Sequence, residues 1–258
     1  MSATTGYFVA GSSWLHRRNP LTKLLALALI LESAFLLPPI ILPVLAVAIV
    51  AAGWSAGLLR PMARAMRIPA LLLVSILLVN GFFYPGATDA LLTIGPLSLS
   101  REGLTFGLVS SGRLVVVFLA AVLFLFTTLA DDLLESLIAR GASHRISFVV
   151  LSAVQMVPRM QARAGSILEA QQARGLAIEG SFGRRLRALV PLIGPVVLGS
   201  LVDVRERTFA LEARGFGARP GRTAYRVVAD PPVDRWLRIA IVAAGVAVIV
   251  ILVTGFPR

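Results

Sequence analysis

Two six-residue segments with the pattern Ala-x-x-Ala-Arg-Gly carry the most specific polar chemistry of this 258-residue chain. The second follows the first by forty residues. A guanidinium holds its N–H donors in a fixed fork that binds carboxylate and carbonyl oxygens bidentately. Alanines three residues apart let another surface approach a helix closely, and a following glycine ends the helix. The pattern therefore predicts two helix tips that insert an arginine into acidic or carbonyl-lined sockets, and the candidate docking residues are Ala170, Ala173, Arg174, Gly175, Ala210, Ala213, Arg214 and Gly215.

A simpler explanation of each segment stays open at this stage. Ala and Arg favour helices, Gly ends them, and Arg is favoured near any helix C-terminus. Residues 139–141 also read Ala-Arg-Gly, with Ser136 in place of the leading alanine. Two matching tips on one chain nevertheless favour two equivalent sockets, which a pair of homologous partner subunits would supply.

Residues suited to catalysis, nucleotide binding or metal binding are scarce. Lys23 is the only lysine and follows Thr22, so the chain has no Gly-Lys-Ser/Thr of a P-loop. The two histidines, His16 and His144, are far apart, and cysteine is absent, which excludes disulfides and thiolate metal sites. We predict a non-enzymatic chain with no catalytic residue, metal site or cofactor of its own.

The composition indicates an integral membrane protein. Hydrophobic residues make up 57% of the chain and charged residues only 15%, whereas about a quarter of the residues of a soluble domain are charged. The net charge of +12 is explained by arginines retained on the cytoplasmic side of a membrane. Nucleic-acid binding is not expected, because no helix-turn-helix or aromatic pattern accompanies the arginines.

Five apolar stretches approach the roughly 20 residues that a transmembrane helix needs. They are residues 21–37, 43–59, 69–84, 107–129 and 236–256. The loop at 60–68 carries Arg60, Arg64 and Arg67 without an acid, and the loop at 85–106 is net negative. This alternation predicts a cytoplasmic N-terminus and an external C-terminus.

The predicted domains are a membrane domain of four spans at residues 1–129, a cytoplasmic domain of amphipathic helices with the two Ala-Arg-Gly motifs at 130–235, and a last transmembrane helix at 236–258. Two apolar runs, 146–157 and 188–202, are too short to span. If they crossed, six arginines between them would be exported against the positive-inside bias. The predicted fold class is an all-α integral membrane protein with about five transmembrane helices and an amphipathic helical insert before the last one.

Charged residues predict local features of these helices. Asp131 is suited to the start of a helix, and Gly141 is suited to its end. Asp203 and Arg207 are spaced for an ion pair within one helix. Glu32, in the first span, is predicted to be a helix-end carboxylate.

The chain resembles the transmembrane T component of energy-coupling factor (ECF) transporters, the EcfT/CbiQ-like family, over nearly its whole length. "FALEARGFG" is the most specific stretch, and "NPLTKLL" is similar to the family's Asp-Pro-Arg-Thr-Lys-Leu opening. Asn19 and Leu21 depart from the Asp and Arg usual in that opening. The similar stretches are residues 19–25, 79–86 (VNGFFYPG), 97–108 (LSLSREGLTFGL) and 209–217.

The resemblance implies a scaffold in a prokaryotic plasma membrane between two kinds of partner. Two ATP-binding-cassette ATPases, as different subunits, two copies or a fused pair, would bind ATP and Mg below it. A membrane S component would bind the substrate beside it. Arg174 and Arg214 would each dock in one ATPase, and ATP-driven movement of the coupling helices would reorient the S component to release a vitamin or transition-metal ion inside.

Two other classes stay open. A stand-alone secondary transporter would need broken helices at the bilayer midplane and a repeat of spans. An intramembrane enzyme would need a catalytic set within the spans, and both histidines lie outside them. Dependence on ATPase partners distinguishes the scaffold that the resemblance implies from both of these classes, which would be active as the chain alone.

Overall fold

The computed structural model describes residues 8–85, 89–94, 97–176, 182–216 and 228–254. These residues form two compact units, Met1–Gly141 with Val228–Arg258, here the membrane unit, and Ala142–Val227, here the coupling unit. Four features named above lie outside the described residues: Gly86, the side chain of His144, Gly217, and the last two residues of the fifth predicted span.

The described residues form nine helices and one antiparallel two-stranded hairpin. The all-α prediction is confirmed, and the short hairpin is its one addition. In chain order the elements are α1 (Pro20–Leu36), α2 (Ile41–Ser55), α3 (Leu59–Ala65), α4 (Arg67–Phe83), β1 (Ala90–Ile94), β2 (Leu97–Ser100), α5 (Arg101–Thr127), α6 (Ala130–Ile138), α7 (His144–Ala173), α8 (Phe182–Ala213) and α9 (Pro232–Val253).

Local capping explains where two of the long helices begin. The Asn19 side chain accepts a hydrogen bond from the Leu21 backbone N–H at 3.0 Å, and Pro20 follows at the first helical position of α1. The Ser100 hydroxyl accepts from the Gly103 N–H at 3.1 Å and caps α5. This cap lies at the end of β2, so α5 begins six residues before the predicted span at 107.

Helix α5 is central to the membrane unit and packs against α1, α2 and α4, while α9 packs against α1. Glycines let α4 and α5 approach closely, because a Cβ on Gly107 would lie 3.3 Å from the Leu77 Cα. The side chains that share the core come from four helices and the turn before α3: Ala34, Leu42, Ile49, Leu58, Met62, Val116, Leu119, Ala120 and Val122.

Each of the five predicted spans overlaps a helix, although the stretch 43–59 extends past the end of α2 through a turn to the start of α3. Among the described residues, α5 and α9 are long and apolar enough to cross a membrane, and α3 with α4, bent by 50° at their junction, could supply a third crossing. Helices α1 and α2 have 17 and 15 residues, below the roughly 20 of a straight span. The count of five crossings therefore stays a prediction.

The insert is more continuous than the sequence suggested. Helix α6 runs from Ala130 to Ile138, with the predicted starting residue Asp131 in its first turn, and Gly141, the predicted end, follows three residues later with a φ of 96°. The run at 146–157 belongs to the 30-residue α7, which continues through Pro158, and the run at 188–202 belongs to the 32-residue α8. The two runs were therefore correctly predicted to be helical, but they are parts of long helices rather than short separate ones.

Candidate partner-docking site

The first Ala-Arg-Gly segment forms the C-terminal end of α7. Gly175 has a φ of 93°, in the left-handed region that favours glycine. Its N–H donates to the Gln172 carbonyl at 2.9 Å, and the Leu176 N–H donates to the Gln171 carbonyl at 3.0 Å. These two bonds define a Schellman motif, which satisfies carbonyl groups that the helix leaves open. Arg174 therefore lies at the tip of α7, as predicted.

The second segment ends α8 with the same motif. Gly215 has a φ of 69°. Its N–H donates to the Glu212 carbonyl at 2.9 Å, and the Phe216 N–H donates to the Leu211 carbonyl at 2.9 Å. Arg214 thus occupies the position in α8 that Arg174 occupies in α7. The repeated sequence pattern corresponds to a repeated local structure.

All eight candidate docking residues are exposed in the structure. Arg174 and Arg214 form no ion pair with any residue that the structure describes. The third Ala-Arg-Gly segment differs, because its Arg140 donates to the Ser136 carbonyl at 3.1 Å and to the Asp230 carboxylate at 3.0 Å. Arg174 and Arg214 are thus exposed and without an ion pair among the described residues, whereas Arg140 is bound to Asp230 inside the membrane unit.

An ion pair joins α7 and α8 in the middle of the coupling unit. The Arg163 guanidinium donates two hydrogen bonds to the Asp203 carboxylate, at 2.7 and 3.0 Å. The rings of Phe148 and Phe216 lie 4.7 Å apart, so the N-terminal part of α7 meets the end of α8 and the helices run antiparallel. The predicted pair of Asp203 with Arg207 is wrong, because the carboxylate faces the neighbouring helix.

A second ion-pair cluster lies in the membrane unit, close to the points where the chain leaves it and returns. Asp230 accepts hydrogen bonds from Arg238 at 2.8 and 3.0 Å and one from Arg140. The hydrogen bond from Arg238, with the charges of both arginines, holds the pKa of Asp230 below its usual value. The fully buried Asp234 accepts from the Asn19 backbone N–H at 3.1 Å. The cluster ties the beginnings of α1 and α9 to the end of α6.

Two charged residues of the first span lie inside the membrane unit. Lys23 is buried, and its ammonium donates to the Thr127 carbonyl at the end of α5, at 2.6 Å. Glu32 lies one turn before the end of α1, and its Oε2 is 2.9 Å from where a Cβ on Gly245 of α9 would be. Glycine at 245 therefore makes room for the carboxylate, which packs between α1 and α9. Neither contact could be predicted from the sequence, because each partner lies about a hundred or more residues away.

The fold defines a multi-pass helical membrane protein whose second unit exposes two matching arginine tips at the ends of α7 and α8. The family model described as "Cobalt transport protein", CbiQ, matches residues 11–225. The energy-coupling factor transporter transmembrane protein EcfT of Heliobacterium modesticaldum is 30% identical over 264 residues, covering 96% of each chain. The EcfT of Bacillus selenitireducens is 28% identical over 236 residues, covering 87% of this chain and 88% of the relative.

A longer relative is arranged differently. A protein of Bifidobacterium longum named as an ABC transporter ATP-binding protein is 27% identical over 247 residues, which are 92% of this chain but 32% of that protein. With a family match over most of the chain and relatives matched over nearly their full length, the chain belongs to the CbiQ/EcfT family of ECF-transporter membrane components. It is accordingly a membrane subunit of a transport system.

Proposed function

We propose that this chain is the non-catalytic coupling subunit of an ATP-driven ECF-type importer. The observation that carries the proposal is the pair of exposed arginine tips, which share one sequence pattern and one Schellman geometry. A guanidinium at a helix tip fits a groove lined with carboxylate or carbonyl oxygens. Two equivalent tips fit two equivalent grooves, one in each of two ABC ATPase subunits, in two copies of one subunit, or in a fused pair.

Nucleotide hydrolysis then belongs to the partners. The chain's single lysine is buried and bonded to a backbone carbonyl, so it cannot act as a phosphate-binding lysine. ATP and Mg would bind the ATPases, and this chain would hold no cofactor. The long Bifidobacterium relative supports the association, because its name assigns ATP binding to a chain that also contains a region similar to this one.

The transported substrate would be held by a membrane S component packed beside the spans. ATP-driven closure of the ATPases would move α7 and α8, and this movement would reorient the S component to release a vitamin or a transition-metal ion. The proposed location is the prokaryotic plasma membrane, with the N-terminus and both arginine tips on the cytoplasmic side. The positive-inside bias of the loops supports that orientation.

Charge reversal at both tips tests the docking assignment. The double variant Arg174→Glu, Arg214→Glu should lose co-purification with the ATPases and substrate uptake. Each glutamate would place a negative charge against a groove lined with acidic or carbonyl oxygens, which repel it. The matched control is Arg159→Glu with Arg205→Glu, which reverses one exposed arginine on each of the same two helices away from the tips. Unchanged ATPase recovery in the tip variant would contradict the proposal.

The alternative of a stand-alone secondary transporter is tested by reconstituting the purified chain alone in vesicles. Uptake without ATPases or ATP would favour that alternative. The proposed coupling subunit should show no uptake until the ATPases, an S component and ATP are supplied.

A further inference from the structure

The ion pair between α7 and α8 joins residues that lie at the same spacing before each Ala-x-x-Ala-Arg-Gly segment, seven residues from its first alanine. The two Ala-x-x-Ala-Arg-Gly segments are related by a shift of forty positions, so Arg174 corresponds to Arg214 and Arg163 corresponds to Asp203. Arg163 and Asp203 bind each other directly through two hydrogen bonds. In two-fold symmetric assemblies, a residue that contacts its own equivalent lies on the axis. The Arg163–Asp203 pair therefore marks a local pseudo-two-fold axis between the antiparallel helices.

The two arginine tips are equally distant from this axis. Each lies eleven residues beyond the ion pair, at the C-terminal end of its own helix. At a rise of 1.5 Å per residue this is about 16 Å, so antiparallel helices place the tips about 33 Å apart along their axes. Eleven residues are also close to three full turns, so each tip arginine lies on the side of its helix that carries the ion pair.

The surface of α8 next to Asp203 accommodates the guanidinium of Arg163. A Cβ on Gly199 of α8 would lie 3.1 Å from a terminal nitrogen of Arg163, so glycine leaves room for the guanidinium across the helix surface. Both side chains are more than a third exposed, and ion pairs of that kind contribute little to overall stability. The planar, two-bond geometry instead restricts how the two helices can rotate and slide against each other.

We propose that Arg163 and Asp203 form a positioning pin that sets the separation and orientation of the two tips. The partner that this arrangement fits is a pair of subunits related by a two-fold axis, with one groove on each side of that axis. The inference rests on the proposed docking function, since the pin acts through Arg174 and Arg214 and does not touch the partner itself. Removal of the pin should leave the fold intact and broaden the range of distances between the tips.

Spin labels on the full-length chain in detergent test the pin without any ATPase present. The chain has no cysteine, so Gln172→Cys with Glu212→Cys labels two corresponding exposed positions and nothing else. Each is nine residues from the pin, and the labelled backbone positions should lie about 27 Å apart along the helix axes. The distance distribution should have one narrow maximum, which Arg163→Ala should replace with a broad distribution.

Two further variants separate the pin from a general effect of lost charge. Arg159→Ala removes an exposed arginine one turn earlier on α7 and should keep the narrow maximum. The double variant Arg163→Ala, Asp203→Ala should broaden the distribution no more than either single change, because both remove one interaction. If the distance distribution of Arg163→Ala keeps a narrow maximum at the same distance, the positioning pin is overturned, regardless of how much ATPase co-purifies with the chain. Loss of ATPase recovery in the tip double variant tests the docking function separately.

Discussion

The clearest test of the helix tips compares one substitution at two glycines of the same helix. Gly175→Ala forces an alanine to a φ near 93°, which costs an L-residue about 1–2 kcal/mol. Gly165 is ten residues earlier inside α7, and a Cβ there would meet no atom within 4 Å. Alanine at that helix-interior position should stabilise the helix by about 0.5–1 kcal/mol. The same change should therefore have opposite signs at the two positions.

Amide hydrogen exchange measures the effect where it arises. The amides of residues 175 and 176 are held by the carbonyls of Gln172 and Gln171, and these bonds depend on the left-handed backbone at position 175. A loss of one to two kcal/mol should accelerate their exchange about 5- to 30-fold. Gly165→Ala should slow amide exchange within α7 around position 165 and should not accelerate it at residues 175 and 176.

The glycine at the second tip allows the size of the effect to be compared between the two tips. Gly215 has a φ of 69°, which lies within the left-handed region that non-glycine residues can reach, whereas 93° lies beyond it. Gly215→Ala should therefore accelerate exchange at residues 215 and 216 less than Gly175→Ala does at 175 and 176. Equal or slower exchange in Gly175→Ala than in the unsubstituted chain would refute the assignment of Gly175 as a conformational stop.

Three further predictions concern the membrane unit and its orientation. Asp230→Asn should lower the thermal unfolding temperature at pH 7, and the difference from the unsubstituted chain should vanish well below pH 3.8. The pKa of Asp230 in the folded state lies below its ordinary value of 3.8. The ionised carboxylate therefore stabilises the fold fully above the ordinary value, and this stabilisation is lost as the pH falls through the folded-state pKa. Gly103→Ala would press a methyl group against the Asn80 carbonyl oxygen and should destabilise by about 1–3 kcal/mol in a detergent unfolding assay, whereas Gly112→Ala, with its nearest atom at 3.4 Å, should be mild. Gln172→Cys should resist membrane-impermeant thiol reagents in intact cells and react after lysis, and labelling from outside would contradict a cytoplasmic coupling unit.

Features that depend on neighbouring residues in the chain could be predicted from the sequence. The five apolar stretches coincide with helices because a helix satisfies its backbone hydrogen bonds internally and needs only a long apolar run. Both arginine tips were predicted because a glycine after the last helical residue relieves the steric cost of a left-handed turn. The full length of α7 was not predicted, since the apolar run at 146–157 is only part of a helix that continues through Pro158 to Ala173.

Pairings between distant residues required the tertiary structure. Spacing within α8 favoured an ion pair of Asp203 with Arg207, but packing of the two helices brings the two-pronged guanidinium of Arg163 to the same carboxylate. The sequence contains three Ala-Arg-Gly segments, one of which lacks the leading alanine, and the fold adds a second difference between them. Asp230, ninety residues from Arg140, binds that arginine, and no described acid binds the other two. Local sequence thus determined which stretches are helical and where the two arginine tips end. Which charges meet was decided by the packing, since electrostatic partners depend on distance in space and not along the chain.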